Sequence, residues 1–344
     1  MEVFSEDMVK RADKGGMLSA YERWPALARE GFRVSYSPSS RVARAYIMGM
    51  GGSAAAGDIL AGWVAGRSGV EVNVLKGSVP AKGMDGSIAI ACSVSGNTEE
   101  TVQMLTAAAE GGASVVSISG EGKLSAAAKR LGVPNIRVPQ ALAQRLMLPF
   151  LVYSALSVLN SSFGLKCEAE AEESIAALGA EWEDAALDVP EPRNWAKRLA
   201  GTLTSKTPAI YCDRVAYGVG VRFKNVVNEN SKRHAHFDVV PEAFHNEIES
   251  WEDPGTDFLP IFLRHSSEGK RDSEKLDHMA EILQGTGKSP VQLRGRGGSR
   301  LSQLMSMTYR LDMASYYLAI ALGRDPLPTN LLDRLKFSKL PDAH

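Results

Sequence analysis

Cysteine is scarce and poorly placed for chemistry. Cys92, Cys167 and Cys212 are odd in number, far apart, and show neither CxxC nor Cys/His spacing. A disulfide framework is excluded, no metal site is indicated, and each thiol reads as a small buried side chain. No stretch approaches the ~18 continuous apolar residues of a membrane span. Near the start, Glu2, Glu6, Asp7, Lys10 and Arg11 stand where a signal peptide would carry its apolar core. Charge of one sign is missing too, because 39 Lys and Arg against 40 Asp and Glu leave a net charge of −1 with no long basic run. Composition therefore gives no electrostatic ground for a nucleic acid or a membrane as partner. These absences predict a cytoplasmic protein in which any anion is held by a local site.

What is present is ample apolar material. The 344 residues, 44% of them hydrophobic, exceed the usual domain of about 100 to 200 residues, so two domains are expected. Met8, Met17, Leu18, Tyr21, Trp24, Leu27 and Ala28 recur at roughly helical spacing before Gly31. They predict an amphipathic helical segment over residues 1–35, serving as a lid or a dimer-packing element. From Arg44 the chain alternates strand, turn and helix. Strands are expected at 46–48, 70–74, 88–92 and 113–118, helices at 54–63 and 99–109, and a closing apolar helix at 144–159. A charged stretch, Glu168 to Pro192, reads as part of a helical connector over 164–200. A second round follows, with strands at 207–212, 258–263 and 291–293, a glycine-rich turn from Tyr217 to Val221 leading into a helix that carries Arg222, and helices at 273–284 and 301–322. The order repeats, so the fold class is α/β with two similar domains, 36–163 and 201–344, each a parallel sheet flanked by helices. A cleft between such domains is the default place for a ligand.

Two turns carry the strongest local signal. Gly49 to Ser53 and Ser93 to Thr101 each follow a short apolar run and lead into a helix. The unpaired N–H groups of a helix start carry partial positive charge, and the hydroxyls of Ser53, Ser93, Ser95, Thr98 and Thr101 add donors to the same concavity. Such a cradle suits a dianionic phosphate and needs no metal or other cofactor. The first turn lacks the Gly-Lys-Ser/Thr of a nucleotide P-loop and does not match G-x-G-x-x-G, which weighs against nucleotides. Either turn alone is equally well explained as packing; two with five hydroxyls favour a ligand. In the second half, Asn228 to Lys232 and Pro241 to Glu247 place acid-base groups in polar turns.

These residues resemble the bifunctional phosphoglucose/phosphomannose isomerase family, a branch of the sugar isomerase (SIS) domain proteins. The resemblance rests on five segments in the family's order and covers nearly the whole chain. They are Met50-Gly-Gly-Ser53, the turn from Ser93 to Thr101, Asn228-Glu-Asn-Ser-Lys232, His245-Asn-Glu-Ile248, and the closing stretch from Asp325 to Lys336. It implies two SIS-type domains and aldose-ketose isomerisation of a six-carbon sugar phosphate through a cis-enediol. Glu229 would be the base that moves a proton between C1 and C2, and Arg145 would stabilise the enediolate. His245 and Lys336 would open the sugar ring, with His245 lent by the partner in a homodimer. Gly52, Ser53, Ser93, Ser95 and Thr98 would grip the phosphate. Thr329, seven residues before Lys336, is associated in the family with room for rotation about C2–C3, so that glucose 6-phosphate and mannose 6-phosphate both react. The chain departs from the family's pattern at Gln144, where proline is frequent, and at Leu327, where threonine is common. Lys339, in the extra tail residues, competes with Lys336 for the basic role. Alternatives are a sugar-phosphate-binding regulator without catalysis, an isomerase of single specificity, and an enzyme of amino-sugar phosphates.

Overall fold

The computed structural model describes residues 4–38, 42–67, 69–77, 84–253, 255 and 257–337. The chain opens with three short helices, α1 (Glu6–Ala12), α2 (Met17–Glu22) and α3 (Trp24–Phe32). Gly16, at φ 70°, breaks the run between α1 and α2 in a conformation that glycine adopts without strain. The Asp13 carboxylate accepts from the N–H groups of Met17 and Leu18, at 2.8 and 3.0 Å, and so caps the start of α2.

The first sheet follows. Its elements are β1 (Arg44–Met48), α4 (Gly51–Val64), β2 (Val72–Leu75), β3 (Ser87–Ser93), α5 (Glu99–Glu110), β4 (Ser114–Ser119), α6 (Lys123–Leu131) and β5 (Asn135–Arg137). The strands pair in the order β2-β1-β3-β4-β5, all parallel. Central β3 is buried along its whole length, as helices on both faces of a parallel sheet require. A 3-10 turn, Gln144–Met147, leads into α7 (Leu148–Phe163). The stretch Gln144–Phe163 has the length and mean hydropathy of a membrane span, yet 83% of its most apolar window is buried inside the fold. Its apolar residues cover the first sheet and α3.

Helices α8 (Glu168–Ala185) and α9 (Trp195–Leu203) come next. The second sheet then builds from β6 (Thr207–Cys212), α10 (Tyr217–Val226), β7 (His236–Val239), β8 (Phe258–Arg264), α11 (Lys270–Gly285) and β9 (Val291–Arg294). Its order is β7-β6-β8-β9, again all parallel. Helix α12 (Arg300–Ala321) packs along α8, α9 and α10, and α13 (Asn330–Phe337) ends the described chain. The expected α/β class with two parallel sheets flanked by helices is what the fold has.

Three expectations are corrected. The N-terminal segment is core rather than lid, since Met17, Tyr21 and Trp24 are fully buried in an apolar cluster that also takes in residues of both sheets. Gly31 does not stop a helix; it lies inside α3, where a Cβ would come 2.7 Å from the Phe150 carbonyl, so its role is close approach to α7. The glycines of Tyr217–Val221 likewise form no turn. They sit in the first turn of α10, where a Cβ on Gly218 would lie 2.4 Å from the Ile59 amide nitrogen. One helix along, a Cβ on Gly62 would meet the Val215 carbonyl at 2.0 Å. Helices α4 and α10, one from each sheet, therefore touch backbone to backbone, and an added methyl there costs about 1–3 kcal/mol in overpacking.

Candidate active site

Strands β1 and β3 are neighbours, so the turns that follow them emerge side by side at the carboxyl edge of the first sheet. Gly49 is where they meet, because a Cβ there would come 2.9 Å from the Cys92 carbonyl. Helix α4 starts at Gly51, three residues before the expected start, and Met50 caps it without a side-chain bond. Gly51, Gly52 and the half-buried Ser53 thus form its first turn, and its amides face the edge of the sheet. In the second turn, Ser93 Oγ lies 3.0 Å from Thr98 Oγ1 and 3.4 Å from Ser95 Oγ, and the Asn97 amide donates to Ser95 Oγ at 3.2 Å. Thr98 is the N-cap of α5 yet makes no capping bond, so the hydroxyls cluster with one another and leave the helix start open. Gly96, at φ 67°, leaves no room for a side chain, because a Cβ there would come 2.8 and 2.9 Å from the Gly120 and Glu121 carbonyls.

Thr101 does not join this group. It is fully buried and its hydroxyl has no partner among the described residues. With α5 starting at Glu99, positions 101, 104, 105 and 108 form the stripe turned to the core.

Arg145 stands opposite. Its 3-10 turn precedes α7, and its side chain is 6% exposed. Nε donates to Asn230 Oδ1 at 2.8 Å, Nη2 donates to the carbonyls of Pro326 and Leu327 at 2.6 and 2.9 Å, and Nη1 lies 3.6 Å from Glu229 Oε2. Burial pulls the guanidinium's pKa down and Glu229 opposes that. Glu229 belongs to a π-helical turn, Val227–Ser231, that continues α10 and ends at Lys232 in the left-handed region, φ 58°. Such a turn sets neighbouring side chains on different courses. Here Glu229 keeps 27% of its side chain exposed, while Asn230 is fully buried and donates to Tyr21 Oη at 3.2 Å and Ser315 Oγ at 2.8 Å.

The backbone of Arg145 is held as firmly as its side chain. Arg222 Nη2 donates to the Arg145 carbonyl at 2.8 Å, and Arg222 forks onto Asp312 through Nε at 3.0 Å and Nη2 at 2.6 Å. Burial opposes the charge on Arg222, and Asp312 outweighs it, so the guanidinium is raised above its ordinary range. The Lys232 ammonium donates to the carbonyls of Glu229, Asn230 and Pro326, at 2.6, 3.2 and 3.2 Å. Burial, then the neighbouring Arg145, bring it down to about 8. Gly52 joins the two regions, since a Cβ there would lie 3.4 Å from Arg222 Nη1 and 3.9 Å from Arg145 Cα.

A family model described as the bacterial phospho-glucose isomerase C-terminal SIS domain matches residues 193–338. A bifunctional phosphoglucose/phosphomannose isomerase of Caldicellulosiruptor bescii is 33% identical over 297 residues, which cover 84% of this chain and 87% of that one. The chain belongs to this isomerase family. A D-glucosamine-6-phosphate 4-epimerase of Sulfolobus acidocaldarius is 28% identical, over 72% of this chain and 77% of that one. The solved structure of a glucose-6-phosphate isomerase like protein from Thermus thermophilus superposes with a TM-score of 0.62, at 21% identity and over 97% of this chain and 98% of that one, which shows the common fold.

Within this family member the fold brings Gly52, Arg145 and Glu229 together, and it leaves other expected residues apart. His245 is exposed on a 3-10 turn, Glu242–His245, and makes no contact with the Arg145–Glu229 pair among the described residues. Its segment is tied to the second sheet by Glu247, which takes the Tyr211 hydroxyl and pairs with His236 Nε2 at 2.5 Å. Thr329 is half-buried just before α13, its carbonyl accepting from the Asp333 amide at 3.0 Å. Lys336 lies in α13, with its side chain outside the described residues, as is all of Lys339. The three cysteines are free and buried, and burial pushes Cys92 and Cys167 up to about 12. Sequence reasoning missed Asn230, Arg222, Asp312 and Tyr21. A lone acid inside the apolar run of α12 was the one signal, because a buried carboxylate demands a cationic partner.

Proposed function

We propose that the protein interconverts glucose 6-phosphate and mannose 6-phosphate with fructose 6-phosphate through a cis-enediol(ate), with no cofactor. The observation that carries this reading is the Glu229 carboxylate 3.6 Å from Arg145 Nη1, beside the open first turn of α4, in a chain of this family. The phosphate is gripped by Gly52, Ser53, Ser93, Ser95 and Thr98 and fixes one end of the sugar, so that the reacting carbons meet Glu229. Glu229 takes the proton from C2 of the aldose and returns it to C1, or the reverse. As that proton moves, negative charge passes from the carboxylate to the enediolate oxygens, and Arg145 is placed to follow it. His245 and Lys336 open the ring by carrying a proton between the ring oxygen and the C1 hydroxyl. His245 comes from a second copy of the chain, so the working unit is a homodimer; its exposure on a turn away from Arg145 supports this. Thr329 leaves room for rotation about C2–C3. The cytoplasm, where charged sugar phosphates are retained, is the site of action.

The test is incubation with fructose 6-phosphate in the presence of EDTA. Both aldose phosphates are expected, and the appearance of neither contradicts the reading. The similarity to a D-glucosamine-6-phosphate 4-epimerase favours amino-sugar phosphates as the second reading. Turnover of glucosamine 6-phosphate with none of fructose 6-phosphate would select it.

A further inference from the structure

Arg222 is a charged side chain of the interior, 1% exposed, and the reaction as derived above gives it no part beyond holding Arg145. Its guanidinium is unevenly used. Nε serves Asp312 Oδ1, and Nη2 serves both Asp312 Oδ2 and the Arg145 carbonyl. Nη1 has no hydrogen-bond partner among the described residues. Nη1 is also not among the buried atoms left without a partner, so this one corner of an otherwise enclosed guanidinium opens to solvent beside the candidate site, where a ligand oxygen can take the place of water. Nη1 lies on the side of Gly52 where any other residue would carry its side chain, 3.4 Å from the position of that Cβ, with Arg145 Cα 3.9 Å from the same point. An alanine methyl at position 52 would sit in van der Waals contact with this nitrogen and occupy space between the two arginines.

We propose that Arg222 is a second cationic donor of the active site, its Nη1 meeting the substrate oxygens that pass between Gly52 and Arg145. The inference rests on the isomerase reading given above. Asp312 neutralises most of the Arg222 charge in the resting site and orients the fork, so the donor is in place before charge develops on the enediolate. Arg145 answers Glu229 from one side while Arg222 answers from the side of α4.

The test compares two ligands on wild-type protein and Arg222→Lys. One is a five-carbon phosphohydroxamate that mimics the enediolate; the other is glucitol 6-phosphate, which has the phosphate and no reacting carbonyl. Lysine keeps the charge opposite Asp312 but cannot also supply Nη1. The variant is expected to bind the hydroxamate about 30- to 100-fold more weakly, with kcat reduced in proportion and KM changed less than about threefold. Its affinity for glucitol 6-phosphate stays within about threefold of wild type. If both ligands weaken by the same factor, or neither does, Arg222 is a structural residue and the inference is overturned. Should Arg222→Lys fail to fold, the pair Arg222→Met with Asp312→Leu removes both charges together and is read the same way. Wild-type protein that isomerises nothing would instead overturn the reading on which the inference rests.

Discussion

The two turns at the edge of the first sheet and the Arg145–Glu229 pair lie next to each other and are built in opposite ways. In the second turn the hydroxyl of Ser93 meets those of Ser95 and Thr98, two and five positions away. Arg145, by contrast, is held by Asn230, Pro326 and Leu327, which are 85, 181 and 182 positions away, and its backbone is held by Arg222 at a separation of 77. A cradle made of local contacts forms wherever its turn forms. A charge pair held at long range exists only when both sheets, the N-terminal helices and the C-terminal stretch are assembled. Grip on the phosphate and chemistry at the far end of the sugar should therefore be separable.

Arg145→Ala should break the comparison most strongly. It removes the charge beside Glu229 and leaves the Leu327 carbonyl without its donor and the Pro326 carbonyl with Lys232 alone, so kcat should fall about 10²- to 10³-fold while glucitol 6-phosphate still binds. Steady-state kinetics with an inhibition series measures both. Ser93→Ala acts on the other side. The hydroxyl cluster loses its centre, and KM should rise about tenfold with kcat nearly unchanged, because the lost bond serves ground state and transition state alike.

The smallest effect concerns Lys232. Deprotonation near pH 8 leaves two N–H donors for three carbonyls and loosens the clamp between the Glu229 turn and Pro326. The pH profile of kcat should carry an alkaline limb centred near 8 that is absent in Lys232→Arg, whose guanidinium stays charged. Because the folded-state value lies below the ordinary 10.5, the partly desolvated ammonium burdens the fold below pH 8. That burden lifts as pH rises from 8 to 10.5, where wild-type stability should gain on a Lys232→Met variant.

The same contrast explains what could be read in advance. Alternating strands and helices, and the turns at Gly49–Ser53 and Ser93–Thr98, are local patterns, and the two parallel sheets with these turns side by side at the edge of the first follow from them. Gly218 and Gly220 misled because a glycine cluster signals a turn and a close helix contact alike, and only the approach of α4 and of Phe237 tells which. Thr101 misled because its residue type suits a ligand, whereas its face depends on where α5 begins. The π-helical turn that separates Glu229 from Asn230 leaves no mark in the sequence, and although the lone Asp312 in α12 calls for a cation, nothing there names Arg222, 90 residues away, as that partner.

The central claim is that Glu229 moves the proton while the phosphate is held elsewhere. Hydrogen exchange at C1 of fructose 6-phosphate in D2O, followed by NMR for wild type and Glu229→Gln, tests it most directly. Wild type should incorporate deuterium, and Glu229→Gln should do so about 10²- to 10⁴-fold more slowly while binding glucitol 6-phosphate as tightly as wild type. Exchange by Glu229→Gln at the wild-type rate would contradict the account.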